Sequence, residues 1–167
     1  MTVRNWLVIG LATLAVLGAA GGYYMYQGSS QGFYVLTPAE VAELAEQEPE
    51  AEAENELTRG VRMTKADGPN IKFRSPNNDV LASPVNIDVN IQPKDGVAVD
   101  MRSIRIDYKM GPGWINVTNR IMKHASVKGS RLYAKAAELP AGKHTMRLSV
   151  KDGQKRQTQA VVSFVVR

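Results

Sequence analysis

The sequence predicts an all-β protein: an antiparallel β-sandwich of about seven strands, preceded by one transmembrane helix and a short acidic linker that is helical or flexible. Three observations predict it. Apolar residues recur with period two through most of residues 68–167, the period of half-buried strands. Turn signals (Pro93-Lys-Asp-Gly96, Gly111-Pro-Gly113, Leu139-Pro-Ala-Gly142 and Asp152-Gly153) separate these runs, as in a sandwich. Residues 6–26 carry no charge, a stretch of about twenty residues that can cross roughly 30 Å of hydrocarbon as a helix.

The N-terminal segment, residues 1–26, reads as a membrane anchor. Trp6 opens the apolar run and Tyr23, Tyr24 and Tyr26 close it, which suits the two headgroup belts. Only Arg4 and the α-amine precede it, and the residues from Gln27 to Leu57 hold eight Glu and no Lys or Arg. The positive-inside rule then leaves the N-terminus in the cytoplasm and everything after Tyr26 outside. The expected location is the inner (cytoplasmic) membrane, single-pass, with the lipid bilayer contacted through residues 6–26 and a periplasmic or extracytoplasmic C-terminal domain. A cleaved signal peptide is the competing reading, with Leu7 to Leu17 as its apolar core and Gly18-Ala19-Ala20 before the cut. The thin positive region and the continuation into the Tyr cluster favour an uncleaved anchor.

Residues 27–67 read as an acidic linker. Gln27-Gly-Ser-Ser-Gln-Gly32 is a flexible tether. Thr37-Pro38-Ala39-Glu40 predicts a helix start near residues 38–48: Thr at the N-cap, Pro at the first helical position, Glu closing a capping box. Val41, Leu44 and Ala45 supply a narrow apolar stripe. The Glu-rich residues 46–56 are too poor in apolar side chains to bury a core and read as a solvated spacer.

The domain at residues 68–167 follows. Ile71 and Phe73 start a strand, and Val85, Ile87, Val89 and Ile91 alternate with Asn86, Asp88 and Asn90 in the next. Ile104, Ile106, Tyr108 and Met110 alternate with Arg105, Asp107 and Lys109 in a third. Trp114 to Val117 continues after the Gly-Pro-Gly turn, and Arg131 to Ala134 forms a weaker strand. Met146, Leu148 and Val150, then Ala160, Val162, Phe164 and Val166, complete the set.

Ser83-Pro-Val-Asn-Ile-Asp-Val89, Leu139-Pro-Ala-Gly-Lys-His-Thr-Met-Arg-Leu-Ser-Val-Lys-Asp152 and Val162-Ser-Phe-Val-Val166 resemble the second, sixth and seventh strands of bacterial immunoglobulin-like and fibronectin-type-III-like modules. The resemblance covers about residues 68–167, and its most specific piece is the turn Leu139-Pro-Ala-Gly-Lys-His144 followed by an alternating strand. It implies an immunoglobulin-like topology. It implies no catalytic residue, since such folds serve many purposes.

Composition narrows the chemistry. The chain has no Cys, which excludes disulfides, thiolate metal sites and a Cys nucleophile. Residues 1–57 hold one basic and eight acidic residues, whereas residues 58–167 hold 20 Lys and Arg against 8 Asp and Glu. Such asymmetry suggests an interaction surface on the folded part. The His residues, His124 and His144, with Met110, Met122 and Met146 nearby in sequence, have no spacing that fixes a metal site, and Met on inward strand parity is ordinary core filler. No S-x-x-K or phosphate-cradling loop occurs, and no carboxylate pair can be assigned as acid and base. The expectation is a non-enzyme without cofactor, metal or small-molecule substrate. Nucleic acid is not expected either, because the basic residues lack aromatic interleaving. Trp114 reads as a core or sheet-rim Trp, with an exposed contact aromatic as the alternative.

Strand parity locates a candidate surface. If Ile104 to Met110 and Met146 to Val150 turn their apolar positions inward, Arg105, Lys109, Arg147 and Lys151 face out. If the third and sixth strands are neighbours and the seventh lies beyond the sixth, Val161 and Val165 join them. A face mixing Arg, Lys and Val suits a protein partner in a membrane complex. The expected function is a membrane-anchored accessory or scaffold module. A module that binds envelope glycan or another anionic polymer is the alternative.

Overall fold

The computed structural model describes residues 32–46, 60–77 and 80–167. The predicted anchor, with Trp6, Tyr23, Tyr24 and Tyr26, and the acidic residues 47–59 lie outside them. The described helices are Pro38–Glu46 (α1) and Thr118–Met122 (α2), and neither is long and apolar enough to cross a membrane.

Eleven strands are described, against the seven or so expected: Phe33–Tyr34 (β1), Gly60–Ala66 (β2), Asn70–Ser75 (β3), Val80–Leu81 (β4), Val85–Gln92 (β5), Val99–Met110 (β6), Gly113–Asn116 (β7), Ala125–Lys128 (β8), Arg131–Glu138 (β9), Gly142–Asp152 (β10) and Gln157–Val166 (β11). They form two sheets. The five-stranded sheet runs β1-β9-β5-β3, with β8 also on β9. The six-stranded sheet runs β2-β11-β10-β6-β7, with β4 also on β11. All long pairings are antiparallel, as expected, but β1 on β9 and β4 on β11 are parallel. Both are two-residue strands laid along a sheet edge, too short for any periodic signal.

The predicted alternation is the pattern that packs the two sheets. Val85, Ile87, Val89 and Ile91 of β5, and Leu132 and Ala134 of β9, point at Ile104, Ile106 and Tyr108 of β6, Met146, Leu148 and Val150 of β10, and Ala160, Val162, Phe164 and Val166 of β11. These residues are buried, and strand periodicity puts each set on one face. The Pro93 to Gly96 turn has positive φ at both Asp95 (53°) and Gly96 (72°), the backbone that tight hairpin turns require. Asp152 ties the β10–β11 turn by accepting from the backbone N–H of Gln154 (2.9 Å) and Arg156 (3.0 Å) and from Arg156 Nε (2.7 Å).

The sandwich also draws in chain on the N-terminal side of residue 68. The Thr37 capping box forms: Thr37 N–H donates to Glu40 Oε2 (2.7 Å), and Glu40 N–H donates to Thr37 Oγ1 (3.3 Å). Phe33, Val35 and Leu36 are buried in the core, and Val41 and Leu44 of α1 pack against it. Glu40 also accepts from both Arg120 Nη atoms of α2 (2.6 and 3.0 Å), so α1 is pinned to the domain by charge. The Arg120 hydrogen bonds, aided by those from Thr37, hold the Glu40 carboxyl below its ordinary range against burial. Residues 60–66 form β2, although the sequence places them in the linker. Their alternation is short and follows a run of Glu, so nothing local marks them as a strand; pairing with β11 does.

Candidate docking surface

The outward residues of β6, β10 and β11 form one face of the six-stranded sheet. Register places Arg147 opposite both Asp107 of β6 and Val161 of β11, with Arg62 of β2 beyond Val161. Lys109 stands opposite Trp114 of β7, and Lys143 opposite Val165. Arg105, Lys109, Arg147, Lys151, Val161 and Val165 thus share the predicted face, with Lys151 at its far end past a register shift.

Asp107 organises the middle. It takes an outward position yet is 1% exposed, because two guanidinium groups close over it. Arg105 Nε donates to Asp107 Oδ1 (2.9 Å) and Oδ2 (3.1 Å). Arg147 Nε and Nη2 donate to Oδ2 (3.2 and 2.8 Å). One carboxylate shared by two guanidinium groups leaves the cluster positive and holds both Arg side chains still. Arg147 then lies over the Trp114 ring, 4.3 Å from its centroid, and Lys109 Nζ is 5.3 Å from the same centroid. Lys109 also donates to the Pro112 carbonyl (3.0 Å).

Trp114 is therefore half-buried on the outer face of β7, the edge strand of its sheet, so it is a sheet-rim Trp and not a core one. The signal for this was present: across the tight Gly111-Pro-Gly113 turn, a residue directly opposite Lys109 must share its face. Arg62 and Lys143 also belong to the face. Arg62 had no usable signal, since its strand was not recognised. Val161 and Val165 are half-buried between the longer polar side chains. Among the described residues, no carboxylate lies within ion-pair reach of Arg62, Lys109, Lys143 or Lys151.

The two His residues have settled surroundings. His144 is 2% exposed; its Nδ1 accepts from the Tyr108 hydroxyl (2.7 Å) and its Nε2–H donates to the Pro140 carbonyl (2.9 Å). Both ring nitrogens are committed, and burial pushes the ring's pKa down to about 4. The same burial pushes the Tyr108 phenol up. His124 is exposed and lies flat on Phe33, with ring centroids 4.4 Å apart. Among the described residues no three His, Cys, Asp or Glu side chains gather to hold a metal ion. A shallow hollow at one end of the sandwich is lined by Pro93, Ala98, Val99, Met101, Gly129 and Ser130, without an ionisable side chain.

The fold and this surface define a two-sheet β-sandwich with a basic outer face. No family model matches the sequence, and no curated protein matches it. Among solved structures, the chain is similar to CopC from Methylosinus trichosporium OB3b, at 18% identity over 53% of this chain and 80% of that one, with a TM-score of 0.37.

Proposed function

We propose that this chain is a non-catalytic interaction module, held at the outer side of a cytoplasmic membrane by residues 6–26. It would act as an accessory or scaffold subunit that docks a protein partner through the outer face of its six-stranded sheet. The observation that carries the reading is the Asp107–Arg105–Arg147–Trp114 cluster. Two guanidinium groups are fixed in place beside an aromatic ring and two half-exposed valines. Arg and Trp so arranged are the residue types that anchor protein interfaces, and pre-ordering lowers the entropy cost of binding.

The docking test uses outward side chains that lie outside the buried core and leave the Asp107 ion pairs in place. Lys109→Glu with Val161→Glu should release the full-length protein from the partners that co-purify with it in mild detergent at physiological salt. Lys128→Glu with Lys135→Glu, on the outer face of the other sheet, should leave them bound. Arg147 is a poor test residue, because its loss would leave Asp107 half-paired.

A specific observation favours the anionic-polymer alternative. The outer face of the five-stranded sheet is basic too, with Lys72, Arg74, Lys128, Arg131 and Lys135 around one acid, Asp88. Arg131 holds Asp88 bidentately (2.8 and 2.6 Å), which keeps that carboxyl below its ordinary range. Equal losses from both charge-reversal pairs, with binding that fades steeply as salt rises, would support the polymer reading over docking.

A further inference from the structure

We infer that the open edge of β2 takes up an extended segment of a separate protein, whose residues alternate between carboxylates and small apolar side chains. The inference goes beyond the docking face, which it adjoins at Arg62.

One edge of β2 is bonded to β11. Among the described residues no strand pairs with the other edge; apart from the Ala66 carbonyl, which accepts from Lys94 Nζ (3.0 Å), its outward N–H and C=O groups form an open ladder. The two sides of the strand differ in chemistry. Val61 and Met63 pair with Val162 and Ala160 on the core side, yet they remain 42% and 41% exposed because no strand of the facing sheet covers them. Arg62 pairs with Val161, and Lys65 with Gln159, on the outer side. Thr64 is the extra residue of the register shift between them and is held by Gln159, its hydroxyl 3.0 Å from Oε1. The other edge strands differ. The core-side Ile71 of β3 is buried, and β7 is only four residues long.

A strand added to β2 would set its side chains directly opposite these residues. On the outer side it meets Arg62 and Lys65, with Asp67 3.8 Å from the Lys65 amine as the local acid. Carboxylates fit there, and Lys or Arg would be repelled. On the inner side it meets Val61 and Met63, which favour a small apolar residue. Main-chain hydrogen bonds supply affinity in this mode of recognition, and the alternating side chains supply specificity. The competing reading of Arg62 and Lys65 is protective: charges on an edge strand discourage pairing.

The test uses the full-length chain in detergent with two synthetic peptides of the same composition, Glu-Ala-Glu-Ala-Glu-Asn-Glu and Glu-Glu-Glu-Glu-Ala-Ala-Asn, followed by hydrogen–deuterium exchange over residues 60–66. The alternating peptide should slow exchange in β2 about tenfold at a concentration near ten times its Kd. The block peptide should not, and Arg62→Glu with Lys65→Glu should abolish the protection. Equal protection by both peptides would reduce the contact to charge alone and overturn the inference. No protection at millimolar peptide would favour the protective reading and also overturn it. So would β2 amides that are slow without peptide and become fast when Glu50, Glu52, Glu54 and Glu56 are changed to Gln, because the occupant would then be the chain itself. Lys109→Glu alone, away from Arg62 on the docking face, should leave the peptide effect intact, which separates this result from the fate of the docking reading.

Discussion

At the scale of single residues, the buried polar groups make the sharpest predictions. His144 is neutral in the fold, with a pKa near 4 against an ordinary 6.5. The unfolded chain therefore binds more protons than the folded one between those values. Stability from this residue is complete above pH 6.5 and is lost as pH falls toward 4, by roughly 3 kcal/mol in total. Denaturant unfolding across that window should show the slope of about one proton, and a flat profile would mean that the ring is solvated. The carboxylates held low by their Arg partners, Glu40, Asp88 and Asp152, add their own losses at lower pH. For Asp152 burial pulls the other way, and the Arg156 side chain with the N–H groups of Arg156 and Gln154 outweighs it. Tyr108→Phe removes the donor to His144 Nδ1 and leaves a buried acceptor unpaired, which should cost about 1–3 kcal/mol in the same measurement at pH 7.

At the scale of elements, the core strands are the firmest part of the fold. Ile87 and Phe164 are buried on facing sheets, at 3% and 1% exposure. Ile87→Asp or Phe164→Asp puts an unpaired charge between the sheets and should cost more than about 4 kcal/mol, read as loss of the cooperative melting transition. The attachment of α1 is weaker and separable. Arg120→Ala removes two hydrogen bonds to Glu40 and one to the Val35 carbonyl (3.1 Å). Thermal melting should show a loss of roughly 1–3 kcal/mol, with protease cleavage near residues 38–46 rising before the sandwich opens. The strands legible in sequence carry two to four apolar residues in alternation (β3, β5, β6, β10 and β11) or follow a clear turn (β7). β1, β4 and β8 are two to four residues long, below the length at which period two can be told from chance. β9 read as a weak strand because Ala134, Ala136 and Ala137 carry little hydrophobic signal, although all three are buried.

At the scale of the whole molecule, the anchor proposed at residues 6–26 would decide where everything else acts. The protein is expected to fractionate with membranes and to need detergent for release. Recovery in a soluble exported fraction, starting near Gly21, would replace the anchor with a cleaved signal. The sequence by itself determined the class of fold, the inward and outward parity of the long strands, the helix cap at Thr37, and the shared face of Arg105, Lys109, Arg147, Lys151, Val161 and Val165. The first three follow from local periodicity or from a short-range hydrogen bond, and the shared face needed in addition the strand order that the immunoglobulin-like resemblance implies. Tertiary structure alone decided that Asp107 is enclosed by two Arg side chains, that β2 belongs to the sheet, and that Arg120 holds α1. Apart from Arg105, two residues from Asp107, those contacts join residues 40 to about 100 positions apart, and a pair brought together only by packing leaves no periodic trace in either segment.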